Sequence, residues 1–395
     1  MSRPGVKQFL YFAARFAAWK TYLRYPGDGR IFPQIAAAPL LRGIVVARLL
    51  RQGSFLAVED LVYSPARRSM GIRTPFGNDS LGYFTERLDA DRLRSATVGI
   101  VKQAKRNKAF EESRWIGLAI DGTGAGRSEE KKCEGCRPVR NAKKEIIGYH
   151  HKVVMISVVG TDLTLPLDVE PYGPGDSEYS GGQRLLKRAI KNLGVRFANY
   201  VVVDGEFATA PFLHTVGAVG LKVVARLKEN LPELSDAARR RFVSKPPDRT
   251  FKDGQDRIEI WDADDFDPWQ TLRWQTVRVI RYLQHKPGGK VVEAYWLTDF
   301  TKSEAGSQAL FYMAKSRWEI ENQGFNDAKN RYGFEHICHH HPNSLLINWL
   351  LIALTLTLER LYRCRYLHRG THDILQAISL LRLFWISLGR KSDTS

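Results

Sequence analysis

Acidic residues are in short supply: 42 Asp and Glu stand against 60 Lys and Arg in 395 residues, leaving a formal net charge of +18. That imbalance excludes a cationic partner and favours a polyanion, with nucleic acid first and an anionic membrane second. Cysteine is nearly absent, with four in the chain, which excludes a disulfide scaffold at this length. Two of the four form Cys133-x-x-Cys136, a spacing suited to metal or redox chemistry in a reducing compartment, so a cytoplasmic, nucleoid-associated location is expected. Long uninterrupted apolar runs are missing as well. The first 25 residues scatter Lys and Arg among their apolar positions and lack the apolar core of a signal peptide. The segment Leu345–Leu358 is apolar but short, contains Asn348 and ends at Glu359-Arg360, which suits a buried helix and leaves no membrane among the expected partners. No internal repeat or low-complexity tract occurs, so disorder and solenoid architectures are also set aside.

What is present is a globular composition, 44% hydrophobic and 26% charged, in a chain long enough for about two to three domains. Up to about Asn107 the periodicity is helical. The stretch AAAPLLRGIVVARLLRQG ends at Gly53, Ser54 can cap FLAVEDLVY, and Asp79-Ser80 can cap LGYFTERL. Short helices joined by basic turns suit either a helix-turn-helix DNA reader or a plain helical packing domain. From Trp115 the period changes to strands: WIGLAID, VVMISVV and LTLPLDVE, then the amphipathic helix GGQRLLKRAIKNLG, the strand YVVVD, the helix FATAPFLHTVGAVG and the strand LKVVARLK. Strand, strand, strand, helix, strand, helix, strand is an RNase H-like order. DRIEIWDADDF, LRWQTVRVIRY and VVEAYWLTDF then read as strands, the last two joined by the turn Lys286-Pro287-Gly288-Gly289. A long helical pattern follows from Ser303, and the tail from Ser344 is helical to near Ser395.

The fold expected is therefore α/β, α+β overall: an RNase H-like mixed sheet with a β-rich insertion, a helical N-terminal domain and a helical C-terminal tail. Residues 1–110 form the helical, DNA-binding N-terminal domain, 111–230 with 301–342 the core, 231–300 the insertion and 343–395 the helical C-terminal region.

Two apolar strands stop at an aspartate, Asp121 and Asp204, where open α/β sheets place their ligands. Glu321, in RWEIE on the long helix, offers a third acid, with Arg317 one turn earlier on the same face. Unit charges about 4 Å apart repel by about 4 kcal/mol at an effective dielectric of 20, so protons or a cation must intervene. Oxygen donors alone select Mg²⁺ or Mn²⁺, and a two-metal site activates water and stabilises the leaving oxygen in phosphodiester cleavage.

AIDGTGAG around Asp121, VVVDGEF around Asp204, YWLTDF and RWEIENQGFNDAKN around Glu321 together resemble the DDE transposases of bacterial insertion sequences, in particular the cut-and-paste branch with a β-rich insertion before the Glu. The resemblance covers about Trp115 to Asn348. Asp204 follows Asp121 by 83 residues and Glu321 follows Asp204 by 117; a plain crossover needs only about thirty, and the insertion accounts for the excess. The resemblance implies a Mg²⁺-dependent transposase that cuts the ends of its element and joins 3′-hydroxyls to target DNA. Asp121, Asp204 and Glu321 are then metal-holding catalytic acids, the partners are terminal inverted repeats and target DNA, and the protein is a homodimer on DNA. A nuclease of the same fold without strand transfer, and a catalytically silent DNA-binding regulator, are the alternatives. The family signature Y-x2-R-x3-E-x6-K is matched at Arg317 and Glu321. Ala314 stands where the tyrosine belongs, with Tyr312 the nearest, and Lys329 falls eight residues after Glu321 instead of seven. Arg317, Lys329 and Tyr312 are the implied DNA or phosphate contacts.

Outside that pattern, Cys133 and Cys136 lie in the basic loop KKCEGCRPVRNAKK before His150-His151, and Cys338-His339-His340-His341 follows the long helix. A structural Zn²⁺ held by Cys133, Cys136 and one or two of those residues is one reading; thiols that merely fill a loop are the other. Lys131, Lys132, Arg137, Arg140, Lys143 and Lys144 on the loop, and Arg184, Lys187, Arg188 and Lys191 on one helix, can line a DNA groove. The glycines after Asp121 can let DNA approach the backbone, and Trp261, Trp269, Trp274 and Trp296 can include a stacking surface for a base.

Overall fold

The computed structural model describes residues 4–15, 27–130, 132–364 and 376–389. Lys131 and the parts of the expected helical tail at 365–375 and 390–395 lie outside the described residues. Among the described residues the helices α1 (Val6–Arg15), α2 (Ala37–Leu49), α3 (Phe55–Tyr63), α4 (Asn78–Arg87) and α5 (Ala90–Arg106) come first. Ser54 caps α3 as its position predicts, its hydroxyl accepting from the Ala57 N–H at 3.0 Å. The start of α4 differs from the expected Asp79-Ser80 cap. Gly77 is the N-cap, and Glu59 reaches across from α3 to accept the Asn78 N–H at 2.8 Å, so a tertiary contact does what the local side chains were expected to do.

A single ten-stranded sheet follows. Its strands are β1 (Gly117–Ser128), β2 (Arg137–Arg140), β3 (Ile146–Val159), β4 (Leu165–Pro171), β5 (Tyr200–Val203), β6 (Lys222–Leu227), β7 (Arg249–Asp253), β8 (Asp256–Phe266), β9 (Val277–His285) and β10 (Val291–Thr298). The order is β2-β3-β1-β5-β6-β10-β9-β8-β7, with β4 on the same edge of β3 as β2. β1, β5 and β6 are parallel and β3 and β4 antiparallel, the RNase H-like arrangement expected from the element order. The four strands from 231–300 are not a separate module: β10 pairs antiparallel with β6 and carries β9, β8 and β7 outward on the same sheet. Edge pairing is how exposed backbone groups at the rim of the parallel strands are satisfied.

The helix α6 (Glu178–Leu193) packs on one face of the sheet, against Ile120 and Val154. On the other face lies the long helical stretch that begins with α9 (Ser307–Lys315), continues through Arg317–Glu319 and a π-helical turn at Ile320–Phe325, and ends in α10 (Asn326–Tyr332). Gly324 of that turn sits against Met155 and Ser157 of β3. The remaining helices are α7 (Ala210–Ala218), α8 (Pro232–Val243), α11 (Pro342–Tyr362) and α12 (Ala377–Gly389). Among the described residues α11 alone is long and apolar enough to cross a membrane, and 94% of its apolar window is buried inside the protein. It lies against β4, α2, α4 and α5. N-terminal helices, sheet and α11 therefore share one continuous hydrophobic core.

Candidate active site

Ile120 and Val203 are the last paired residues of the parallel strands β1 and β5, so Asp121 and Asp204 follow at equivalent positions, about one strand spacing of 4.8 Å apart. β1 does not stop at Asp121, as its apolar run suggested. It continues to Ser128 as a hairpin with β3, through a bulge between Gly124 and Arg127. The glycines after the aspartate permit that bulge, and Gly122 is needed for a second reason. A Cβ there would lie 2.2 Å from the Glu178 carboxyl carbon, so the backbone at this position is covered by an acid and is not open to DNA.

Successive strand residues alternate faces. Asp121 pairs with Met155, and Met155 lies under the π-helical turn, so Asp121 points toward the long helix. There Arg317 meets it. The Arg317 guanidinium donates to the Asp121 carboxylate at 3.2 Å and to that of Glu321 at 2.8 Å, while its carbon sits 4.2 Å from the centre of the Trp318 ring. Arg317 is 4% exposed. Expected as a phosphate contact, Arg317 here has its guanidinium holding two acids together. Glu319, the other acid of RWEIE, points into the interior, where Gly160 N–H and the Thr164 hydroxyl donate to it. The four-residue spacing thus selects Glu321 and not Glu319.

The carboxyls differ in their surroundings. Burial, with Glu321 and Glu178 adding repulsion, pushes the Asp121 carboxyl up to about 7 despite the pull of Arg317. Burial also acts on Asp204, but the Lys228 ammonium bonded to it at 2.5 Å holds it below the ordinary carboxylate range, helped by Arg317. Lys228, from just past β6, and Glu178, in the first turn of α6, belong to this site and carried no recognisable motif; only the acid after the Ser177 cap hinted at the second. A groove lined by Arg226, Lys228, Arg239 and Arg281 opens beside Gly205. Glu206 is exposed on its rim.

The π turn bears on the signature spacing. A π turn inserts one residue into an α-helix, so the eight-residue step from Glu321 to Lys329 spans the helical path of seven. The turn is held from outside, since Arg360 of α11 donates to the Gln323 carbonyl and pairs with Asp327 at 2.8 Å. Lys329 pairs with Glu335 at 2.8 Å. Tyr312 is half-exposed in a different groove, with Lys315, Lys286 and Trp318, and no structural shift brings it into the signature position.

Two other expectations are revised. Arg184 and Arg188, expected on a DNA groove, pair instead with Asp168, Glu170 and Asp176, where Arg94 of α5 joins them. Lys187 and Lys191 remain exposed. Trp261 and Trp296 are core residues, and Trp269 and Trp274 are partly buried. Trp318, beside Arg317, is 40% exposed and was not among the tryptophans that the sequence singled out.

A second polar cluster lies at the base of the β2–β3 hairpin. Cys133 Sγ and Cys136 Sγ are 3.8 Å apart, and His151 Nε2 is 3.8 Å from the first and 3.3 Å from the second. His340 Nε2 is 3.4 Å from both Cys136 Sγ and His151 Nε2. Strand alternation turns His150 to the other face. Cys338 bonds to Arg48 and the Gly53 carbonyl, and His339 pairs with Glu86. Of the candidates in the sequence, the structure brings together Cys133, Cys136, His151 and His340.

The sheet is RNase H-like, with Asp121 and Asp204 just past the last parallel pair of β1 and β5 and Glu321 on the facing helix. A model of the transposase DDE domain matches residues 115–358, and the chain belongs to that DDE transposase family. The chain is also similar to a piggyBac transposase solved by cryo-EM as a synaptic complex with hairpin DNA, at 14% identity and a TM-score of 0.47 over 96% of this chain and 77% of that one. No curated protein matches it.

Proposed function

We propose that the protein cuts the ends of a mobile DNA element and joins the freed 3′-hydroxyls to target DNA, with Asp121, Asp204 and Glu321 as the metal-holding acids. The observation that carries this reading is the convergence of Asp121 and Glu321 on the buried Arg317, beside Asp204, inside the segment that matches the transposase family. The donor set is carboxylate oxygen throughout, which suits Mg²⁺ or Mn²⁺. Asp121, raised toward neutrality by burial and by neighbouring acids, has the unmet need for positive charge that such an ion fills. A bound divalent ion would supply a nucleophilic water near neutral pH and charge neutralisation on the phosphate.

Within this reading the protein's own groups have separate tasks. Arg317 orients Asp121 and Glu321; Lys228 keeps Asp204 ionised; the groove of Arg226, Arg239 and Arg281 attracts the phosphodiester backbone. Lys329, brought back into step by the π turn, is a phosphate contact once it leaves Glu335. The partners are the element's terminal inverted repeats and target DNA, engaged by a homodimer because two ends must be handled together, in the nucleoid of the cytoplasm. The helices before β1 supply further DNA contacts.

The test uses the DNA that flanks the gene. Divalent-ion-dependent nicking at paired inverted repeats, followed by joining of the 3′-hydroxyl to a second duplex, is the expected result. Nicking without joining makes the protein a nuclease of this fold, and binding without nicking makes it a regulator.

A further inference from the structure

We infer that Cys133, Cys136, His151 and His340 form a structural zinc site that fastens the basic β2–β3 hairpin to the segment between α10 and α11. The site is separate from the acid group and does not depend on the reaction proposed for it.

The argument is geometric. Zinc binds thiolate sulfur at about 2.3 Å and imidazole nitrogen at about 2.0–2.1 Å, so tetrahedral ligands lie about 3.8 Å apart for two sulfurs, about 3.5 Å for sulfur and nitrogen and about 3.3 Å for two nitrogens. Five of the six separations are 3.8 Å between the sulfurs, 3.3, 3.4 and 3.8 Å between sulfur and nitrogen, and 3.4 Å between the nitrogens, and the sixth, Cys133 Sγ to His340 Nε2, is within 4.8 Å. All four ligand atoms fall within 4.8 Å of one another. The sulfurs are far beyond the 2.05 Å of a disulfide, and both cysteines are free thiols. Ordinary hydrogen-bonded packing gives no reason for two sulfurs and two Nε2 atoms to share one point.

The surroundings are those of a closed site. Cys136 N–H donates to the Cys133 carbonyl at 3.0 Å and Cys133 N–H to Cys136 Sγ at 3.3 Å, a tight turn that aims both sulfurs one way. Gly135 at its corner sits beside the ligands, where an added Cβ would meet His151 Nδ1 at 3.8 Å and Cys133 Sγ at 3.9 Å. Trp349 of α11 packs edge-on to His151, with ring centres 5.7 Å apart. With Cys136 and His151 buried, Cys133 and His340 part-buried, and no fifth donor in the group among the described residues, the site is suited to holding structure and not to opening a coordination position. Two thiol protons are released when the ion binds.

Its consequence lies in what it joins. His151 and His340 are 189 residues apart in sequence. The hairpin carries Arg140, Lys143 and Lys144 exposed near its tip, and it is also anchored to the body by strand pairing and by Arg137, which donates to the carbonyls of Gly173 and Asp176. A metal cross-link fixes the direction in which this basic ribbon projects.

The full-length protein, produced in zinc-supplemented medium, is expected to carry about one zinc per chain. Replacement by Co²⁺ should give the visible bands of a tetrahedral two-sulfur, two-nitrogen site together with thiolate charge transfer. His340→Ala is expected to lose the metal and Cys364→Ser to keep it. Removal of the ion by a chelator should speed trypsin cleavage within 132–145 several-fold while the remaining core stays resistant. The cobalt spectrum of the unaltered protein decides the case even where His340→Ala fails to fold. Folded, reduced protein that takes up neither zinc nor cobalt, a Cys133–Cys136 disulfide in the protein as isolated, or a spectrum without sulfur ligands would each overturn the proposal.

Discussion

The acid group and the cysteine–histidine cluster both hang on the β1–β3 hairpin, and they are assembled in opposite ways. Three carboxylates surround Arg317, one raised to about 7 and another held low by Lys228. Glu321 remains 39% exposed at its side chain. The thiols and imidazoles, by contrast, already stand at ligand spacing without any countercharge. Neutral ligands converge at little electrostatic cost, whereas carboxylates need a cation at all times, and in the metal-free protein side chains supply it. An exchangeable centre keeps its ligands partly exposed and loosely balanced; a structural one closes around the ion.

The sharpest way to break this contrast is at Glu321. Glu321→Gln keeps size and hydrogen bonding while removing one ligand charge, and strand cleavage should fall by about two to four orders of magnitude, the scale of several kcal/mol of metal-dependent stabilisation. DNA binding, measured by gel shift, should persist or tighten slightly. Parent-like cleavage would make Glu321 a structural partner of Arg317 and move attention to Glu178 and Glu206.

Arg317→Met tests whether a side chain really takes the cation's place. Removing the buried partner should destabilise the metal-free protein by about 2–3 kcal/mol in denaturant unfolding, less than the figure for a fully buried pair because Glu321 is solvated. Added Mn²⁺ should recover part of the loss. An unchanged midpoint would show that the acids need no countercharge.

The two aspartates give pH windows of opposite sign. Asp121 has a folded value raised above its ordinary 3.8 to about 7, so the folded state binds the proton more tightly and stability falls as pH rises between those values, by about 4 kcal/mol at most. Asp204 is depressed; its contribution is present above 3.8 and is lost as the pH drops through its folded value. Melting curves without metal should therefore decline from pH 5 to pH 8, and Mn²⁺ should raise the melting temperature more at pH 8 than at pH 5. A Mn²⁺ effect equal at both would remove Asp121 from the metal-binding set.

The smallest effect belongs to the hairpin. If the ribbon touches DNA, Lys143→Gln and Lys144→Gln should each reduce the log–log salt slope of binding by about 0.9, one phosphate apiece. Slopes matching the parent would remove the hairpin from the DNA contacts.

Much of this was legible in the chain itself. Apolar runs ending at Asp121 and Asp204 reflect strands buried on both faces, and the Arg317–Glu321 spacing is a helical turn, so local periodicity was enough to identify them. The DDE family relation, carried by those same motifs, is shown by the family match. Periodicity could not reveal the continuation of β1 past Asp121, because glycines carry no strand signal and the pairing partner β3 supplies it. Nor could it separate Arg184 and Arg188 from a DNA-facing stripe, since their acids lie on β4.

The sequence by itself determined the element types, the charge excess, the strand-end acids and the helix that bears Glu321, all of which depend on residues within a turn or a strand of one another. Only the tertiary structure decided that residues 231–300 extend the core sheet, that Arg317 is spent on carboxylates, that a π turn restores the step to Lys329, and that His151 and His340 are the partners of the Cys133-x-x-Cys136 turn. Each of those depends on contacts between segments tens to hundreds of residues apart, and the chain's order does not encode which distant side chains its packing will bring to one point.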